Sequence, residues 1–486
     1  MNVMVPMRNL LLISLSLIAN LCDAQPPQKA VSDSMTWKAS EEYKDPSFFK
    51  RLLLGTNYRQ EWGTAVKLPV FRLAQTDFTI DELGGGNQTK SLQFKDKQGR
   101  EWVLRTIDKE VEKALPPALR HTLAQRVVQD LVSAAHPYAP VTIPPMAKAL
   151  GVVAPIPVIY FVPNDPAFGQ YQTIFANRLC LLEQKSPTPD NGKSEGTDEM
   201  FEKILTENNH LIQQQNLLKA RLLDMLISDW DRHADQWRWG QQEINNIDYY
   251  YPIPRDRDQA YFSSNGILVK LAQMISAKHF VGFRDNLRQV KNLSYKSWKF
   301  DKLFLNTLDA KVWDSTIRFV QAQLTDDLIH QAMLKMPPEI YPISGPEMEQ
   351  KLKDRRDDLL HKGMKYYHFL SQMVTINGTD QEELFHISGN NSNLIIQVYA
   401  WKDGKAAHKV YERVFTRKET WQIKLQGFDG NDQFVVEDGT NSKIRLLFVG
   451  GKGKDTYDIK GKVKYKIEDD KGEDSSLVSL SKTLAQ

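Results

Sequence analysis

The residues best suited to chemistry stand together in Ser228-Asp229-Trp230-Asp231-Arg232-His233-Ala234-Asp235-Gln236-Trp237, straight after the apolar run Leu217 to Ile227. Carboxylates, an imidazole, a guanidinium and an amide crowded at the end of an apolar helix are costly to desolvate unless each finds a partner or a metal. A second group, Pro252-Ile253-Pro254-Arg255-Asp256-Arg257-Asp258, follows the strand Tyr249 to Ile253. Its two carboxylates on one short turn are donors of the kind a divalent cation takes. A third is Leu83-Gly84-Gly85-Gly86-Asn87-Gln88-Thr89, where glycines let backbone amides approach a phosphate with no Cβ in the way. The fourth is the cationic pair Arg105 and Lys109, at the end of the strand after that loop. In chain order these are the parts of phosphoryl transfer. A Gly-rich turn covers the phosphates, a strand cation pairs with them, and a helix acid holds that cation. A loop then supplies a base and a metal ligand, and a further acid grips the metal.

Each group also has a plainer reading. Arg232 and His233 can satisfy Asp229 and Asp235 as a helix-capping network. Asp256 and Asp258 can form a turn bridged to Arg255 and Arg257. A glycine triplet on its own marks a flexible turn, and Trp230, Trp237 and Trp239 read as packing. Asp231, His233 and Asp235 are also a metallohydrolase donor set, but the other nine histidines form no spaced ligand motif.

The elements that must position these residues are short strands and helices. Phe78 to Ile80, Ser91 to Phe94 and Trp102 to Ile107 alternate as strands around the glycines. Leu119 to Ala135 has helical spacing and ends before His136-Pro137. Val152 to Phe161 and Gln172 to Glu183 read as further strands, and Pro187 to Asp198 as a loop. One long helix is expected over Glu199 to Ile227, and residues 275 to 375 read as mostly helical, with Glu347 to Met373 a charged amphipathic linker helix. From Val374 the pattern turns to alternating strands with Gly/Asn/Asp turns. There Gly427-Phe428-Asp429-Gly430-Asn431-Asp432-Gln433-Phe434 is echoed by Gly450-Gly451-Lys452-Gly453-Lys454-Asp455-Thr456-Tyr457, as in stacked strand-turn units.

Asp231-Arg232-His233-Ala234-Asp235-Gln236 resembles the D-R-H-x-x-N loop of atypical kinases, among them HipA-type toxin kinases, phosphatidylinositol kinases and secreted Golgi casein kinases. Pro254 to Phe262 is similar to the Pro-x-Asp-x-Asp-x-x-Phe stretch of CotH-type spore-coat kinases. The whole chain also resembles large bacterial envelope proteins in which such a region adjoins a metallophosphoesterase domain or an outer-membrane barrel. The resemblance covers residues 76 to 270. It implies Asp231 as catalytic base, with His233 in the same loop, and Gln236 and Asp256 as metal ligands joined by Asp258. It implies Arg105 or Lys109 on phosphate, under Gly84, Gly85 and Gly86, with Asp130 as the acid partner. Glu183 falls where a hinge presents backbone to a nucleobase. Magnesium or manganese with ATP would be the cofactors. Three departures point toward a pseudokinase: Arg105 stands for Lys, a planar fork for a point charge; Gln236 stands for Asn; and Asp130 stands for Glu.

The N-terminus reads as a secretory signal. Arg8 is the basic region, Leu10 to Leu21 the apolar one, and Cys22-Asp23-Ala24 offers small residues for cleavage. A lipoprotein reading of Cys22 is weakened by Asn20 and Leu21, and the run is too short and interrupted for a comfortable span. An exported protein is therefore expected, periplasmic, outer-membrane-associated or extracellular, with no transmembrane segment in the mature chain. With the signal removed Cys180 stands alone and no intrachain disulfide is available. The 486 residues are 41% hydrophobic and 25% charged, enough for two or three cores. With 63 basic and 60 acidic residues the charge nearly balances, which gives no argument for nucleic acid. The expected partner is an unknown acceptor or an envelope protein.

The expected fold is α+β: a kinase-like two-lobed domain, a helical linker and a C-terminal all-β domain. The divisions are signal peptide 1–24, flexible leader and aromatic-rich segment 25–75, kinase-like domain with helical extension 76–335, linker helix 336–373 and β domain 374–486. The two Gly-Asp turns resemble calcium-binding β-roll units, and calcium at Asp432 and Asp455 is one reading; Asx turns between strands are the other. In such rolls the units run in tandem, and here they are expected to lie far apart.

Overall fold

The computed structural model describes residues 33–84, 89–112, 115–275 and 277–468. The signal-peptide reading, Gly85 and Gly86 lie outside them. The fold is α+β. An N-terminal layer opens with the antiparallel pair β1 (Ser34–Lys38) and β2 (Ala65–Pro69). Ser34 to Lys38 therefore forms ordered strand where a flexible leader was expected. Between them α1 (Phe48–Leu54) is followed by Tyr58 and Trp62, which are buried in the main core.

A five-stranded antiparallel sheet follows, in the order β3 (Thr79–Gly84), β4 (Ser91–Lys95), β5 (Glu101–Thr106), β7 (Arg178–Gln184), β6 (Val158–Val162). Its strands alternate with period two. Leu92, Phe94, Trp102, Leu104, Cys180 and Leu182 bury one face. The intervening positions Arg105 and Glu183 therefore emerge on the other. Helices α2 (Leu123–Leu131) and α3 (Ile143–Ala149) join the sheet to the helical layer.

The expected helix over Glu199 to Ile227 is two helices, α4 (Thr197–Thr206) and α5 (Gln214–Leu226). Asn208-Asn209 breaks it, since Asn competes with the helix through local hydrogen bonds, and His210–Ile212 pairs instead with a neighbouring strand. That four-stranded sheet has the order β8 (Glu195–Gly196), β10 (Trp237–Ile244), β11 (Ile247–Pro254), β9 (His210–Ile212). From Leu217 on, helix α5 is buried on nearly all sides at the centre of the core, with Arg221 and Asp224 its buried charges. It is followed by α6 (Ile267–Ile275), α7 (Trp298–Phe304), α8 (Ala310–Gln323) and α9 (Asp326–Met333).

The expected linker helix is α10 (Tyr341–Ser371), and it is not a linker. Met348, Leu352, Arg355, Leu359, Gly363, Tyr366 and Leu370 recur at three- and four-residue spacing and bury one face in the same core as α5. Apart from buried Arg355 and Glu349, its charged residues form the outer face of a lobe helix.

The C-terminal strands form a short parallel solenoid. One sheet runs β12 (Met373–Asn377), β16 (Gln422–Phe428), β18 (Asn441–Gly451), β20 (Lys462–Glu468), all parallel. The other stacks β13 (Glu383–Gly389), β17 (Gln433–Val436) and β19 (Thr456–Ile459) in parallel, extended by the hairpin β14 (Asn393–Lys402) and β15 (Lys405–Thr416). Phe385, Phe434 and Tyr457 stack between rungs, with ring centroids 4.6 and 5.1 Å apart. The expected separation of the two Gly-Asp turns is thus wrong: they sit on adjacent rungs.

Candidate active site

The end of α5 and the turn after β11 are locked together before either reaches the cleft. Asp224, fully buried, pairs with Arg221 (2.8 Å), Arg257 (2.9 Å) and Arg232 (3.4 Å), so one carboxylate ties the helix to both candidate loops. Arg221 also holds Asp301 at 2.8 Å. From α10, Arg355 donates to the carbonyls of Met225 and Leu226, both at 2.6 Å, and to Ser228 Oγ at 2.8 Å. It thereby satisfies carbonyls left open at the end of α5. Ser228 and Asp256 both adopt left-handed backbone, with φ of 54°. Such outliers persist only where the surroundings over-determine them, and they gather at functional sites.

Five of the expected residues meet between β5, β7 and the Asp256 turn. Arg105 bridges Glu183 (3.1 Å) and Asp256 (3.0 Å), and Lys109 Nζ lies 2.5 Å from Asp258. Thr89, Thr106 and His136 line the same cleft. The free space between these side chains is about 50 Å³, against roughly 300–1,000 Å³ for an open small-molecule site. Burial opposes the charge on Asp256, but Arg105, Lys109, Arg255 and Arg232 together outweigh it and hold the carboxyl down at about 2. Burial pushes neighbouring Asp258 up to about 6, with Asp256 adding to the rise and Lys109 only partly offsetting it. Two adjacent carboxylates driven apart in this way are a pattern that accompanies divided roles.

Three expected roles are corrected. Asp130 is not the partner of Arg105: it is held by Arg59 (its Nη1 at 2.9 Å) and Lys50 (2.6 Å). One residue along a helix turns the side chain by about 100°, and the neighbour Gln129 turns to the segment after β5 instead, donating to Lys109 O at 2.7 Å. The acid on Arg105 is Glu183, whose backbone lies within the β5–β7 ladder opposite Val103, so Glu183 serves as an ion-pair partner and not as a hinge. Gln236 does not hold its carbonyl oxygen free as a metal ligand. Its Oε1 accepts from Arg232 (3.2 Å), and its Nε2 faces Asp256 Oδ2 (3.5 Å) and His233 Nε2 (3.4 Å). It positions Asp256 as a donor.

Asp231 pairs with Lys296 at 2.5 Å, and that ammonium lies 4.8 Å over the Trp230 ring. The Asp231 charge still acts on Lys109 and Asp258. His233 is partly exposed, with Nδ1 3.5 Å from Asp235. Gly84 ends β3. Sequence reasoning missed Asp224, Arg257, Lys296 and Arg355. Asp224 and Arg221 alone carried a readable signal, as charges set between the leucines of α5.

The solenoid turns do not fit calcium. Asp455 Oδ1 accepts the backbone N–H of Asp432 (2.9 Å), and Asp432 Oδ1 that of Glu383 (2.9 Å), so each carboxylate caps the preceding rung. No cluster of three or more His, Cys, Asp or Glu side chains able to hold a metal occurs among the described residues. Asp432 is buried, its Oδ2 has no hydrogen-bond partner, and a Cβ on Gly427 would lie 2.0 Å from that oxygen. Burial, then the Glu383 carboxylate, pushes its carboxyl up to about 9. The folded state keeps this proton above the pH at which the unfolded chain releases it. Stability is therefore lost as pH rises from about 4 to about 9. Asp432→Asn keeps the acceptor and removes the titration. Its stability is expected to exceed wild type at neutral pH by on the order of 2 kcal/mol, read as a higher melting temperature, and to match it near pH 4. A variant less stable than wild type at pH 8, with wild type stabilised by added calcium, would restore the calcium reading.

No family model matches the chain, and no curated protein matches it. Among solved structures it is similar to the proinflammatory kinase CtkA of Helicobacter pylori, at 9% identity over 61% of this chain and 99% of that one, with a TM-score of 0.33. It is similar to the Rio2 kinase of Chaetomium thermophilum at 11% identity, over 65% and 83% of the two chains, with a TM-score of 0.27. A Golgi casein kinase matches at 13% identity over 73% and 90%, with a TM-score of 0.26. At scores this low the likenesses carry no weight for function, which rests on the side chains of the cleft.

Proposed function

We propose that this chain is an exported, kinase-like protein that takes a nucleotide with magnesium or manganese into the Arg105–Asp258 cleft for phosphoryl transfer to an unknown acceptor. The observation that supports it is the convergence of two cations and two carboxylates from separate elements, Arg105 and Lys109 against Asp256 and Asp258. Two carboxylates plus substrate phosphates suit a small hard cation that keeps several waters. Bound there, a metal–nucleotide would supply the phosphoryl group and neutralise its charge. Asp256 and Asp258 would hold the metal, Arg105 and Lys109 would contact phosphate oxygens, and Asp231 would accept the proton of the acceptor hydroxyl. Export rests on Arg8 and the apolar run that follows it.

A second reading has its own support. Asp231 is tied to Lys296 and the cleft is filled by ion pairs, as suits a silent envelope module that binds a nucleotide, a glycan or a protein.

The ion pairs set the binding order. Metal alone meets carboxylates already paired with Arg105 and Lys109, and nucleotide alone meets cations already paired with carboxylates. Together they free each other's ligands. ATP titrated calorimetrically is expected to bind about tenfold or more tighter when manganese is present. Equal affinity with and without metal would reject the metal–nucleotide reading.

A further inference from the structure

The helices α1 and α6 lie side by side and turn apolar side chains outward. Phe48 and Phe49 on α1 are 68% and 70% exposed, Met274 and Ile275 on α6 are 78% each, and Leu123 at the start of α2 is 75%. Exposed apolar area concentrated in this way marks an interaction surface. The arrangement is built. Gly266, at the start of α6, sits so close to α1 that a Cβ there would lie 2.4 Å from the Leu54 carbonyl carbon. Asn265 accepts from Thr56 N at 2.9 Å, and Ser264 donates to Leu54 O at 3.2 Å. The two helices, FFKRLLL and ILVKLAQMI, carry three cations (Lys50, Arg51, Lys270) and no carboxylate. Lys50 leans back onto buried Asp130, whereas Arg51 and Lys270 are exposed. No helix of the described residues is long and apolar enough to cross a membrane.

We infer that this face docks on an anionic lipid surface. Protruding phenylalanine, methionine and isoleucine tips enter the acyl boundary, while Arg51 and Lys270 meet the headgroups. A lipid surface answers both features at once, since the cations flank the apolar tips and no acid on either helix repels it. The inference stands independently of the nucleotide reading.

The test is co-sedimentation of the full chain with vesicles of phosphatidylcholine alone, and of equal phosphatidylcholine and phosphatidylglycerol. Wild type is expected to pellet with the mixed vesicles and hardly with the neutral ones. Met274→Asp/Ile275→Asp and Phe48→Asp/Phe49→Asp are each expected to lower partitioning roughly tenfold or more, with unchanged melting temperature because these side chains are exposed. Arg51→Glu/Lys270→Glu should remove the preference for anionic lipid. Wild type left in the supernatant would overturn the inference. So would variants that pellet like wild type, or sedimentation-velocity dimers without lipid that the same substitutions abolish, since a second copy would then be the occupant.

Discussion

Asp224→Ala is expected to unfold the helical lobe at temperatures the wild type withstands. The carboxylate is fully buried and faces three guanidinium groups, Arg221, Arg232 and Arg257, at 2.8 to 3.4 Å. Removing it leaves buried positive charge with too little compensation, and Asp301 reaches only Arg221. Breaking such a set from one side costs about 3–5 kcal/mol, a large part of the roughly 5–15 kcal/mol that holds a domain together. The melting temperature is expected to fall by about 10 °C. A melting point within about 2 °C of wild type would show that the network contributes little to the fold.

Asp231→Asn is expected to separate chemistry from binding. The side chain lies beside the cleft but pairs with Lys296, and neither Arg105 nor Lys109 pairs with it. An amide at this position keeps the shape and loses the proton acceptor. If Asp231 is the base, manganese-dependent turnover of ATP should drop about a thousandfold while nucleotide affinity stays within about twofold. Turnover unchanged in the variant would remove Asp231 from the mechanism. Binding without turnover in wild type would select the silent module.

The order of parts along the chain was legible. Strand alternation alone puts Arg105 on the face opposite Leu104, and the Asp256 turn follows a strand that ends in prolines. What was not legible depends on rotation and on distant packing. Whether Asp130 or Gln129 turns toward the Lys109 segment is a matter of one residue on a helix whose leading apolar residue, Leu123, is exposed and whose buried side chain is Asp130. The pairing of Glu183 with Arg105 needs the β5–β7 register, which joins segments about 80 residues apart. The Gly-Asp turns looked isolated because the 23-residue step from Asp432 to Asp455 equals one solenoid rung, and the inserted β14–β15 hairpin hides the earlier repeat at Glu383. Helix α10 looked like a linker because charged residues crowd its middle, Glu347 to Asp358, while the core takes a narrow stripe of Met348, Leu352, Arg355 and Leu359.

Metal-dependent nucleotide binding at Asp256 is tested most directly by thermal unfolding of the wild-type chain and of Asp256→Ala, with ATP, in the presence and absence of magnesium or manganese. Wild type should be stabilised by ATP and metal together, and the stabilisation should vanish in Asp256→Ala. No shift in wild type at millimolar nucleotide, or an equal shift in both proteins, would contradict the assignment of this cleft.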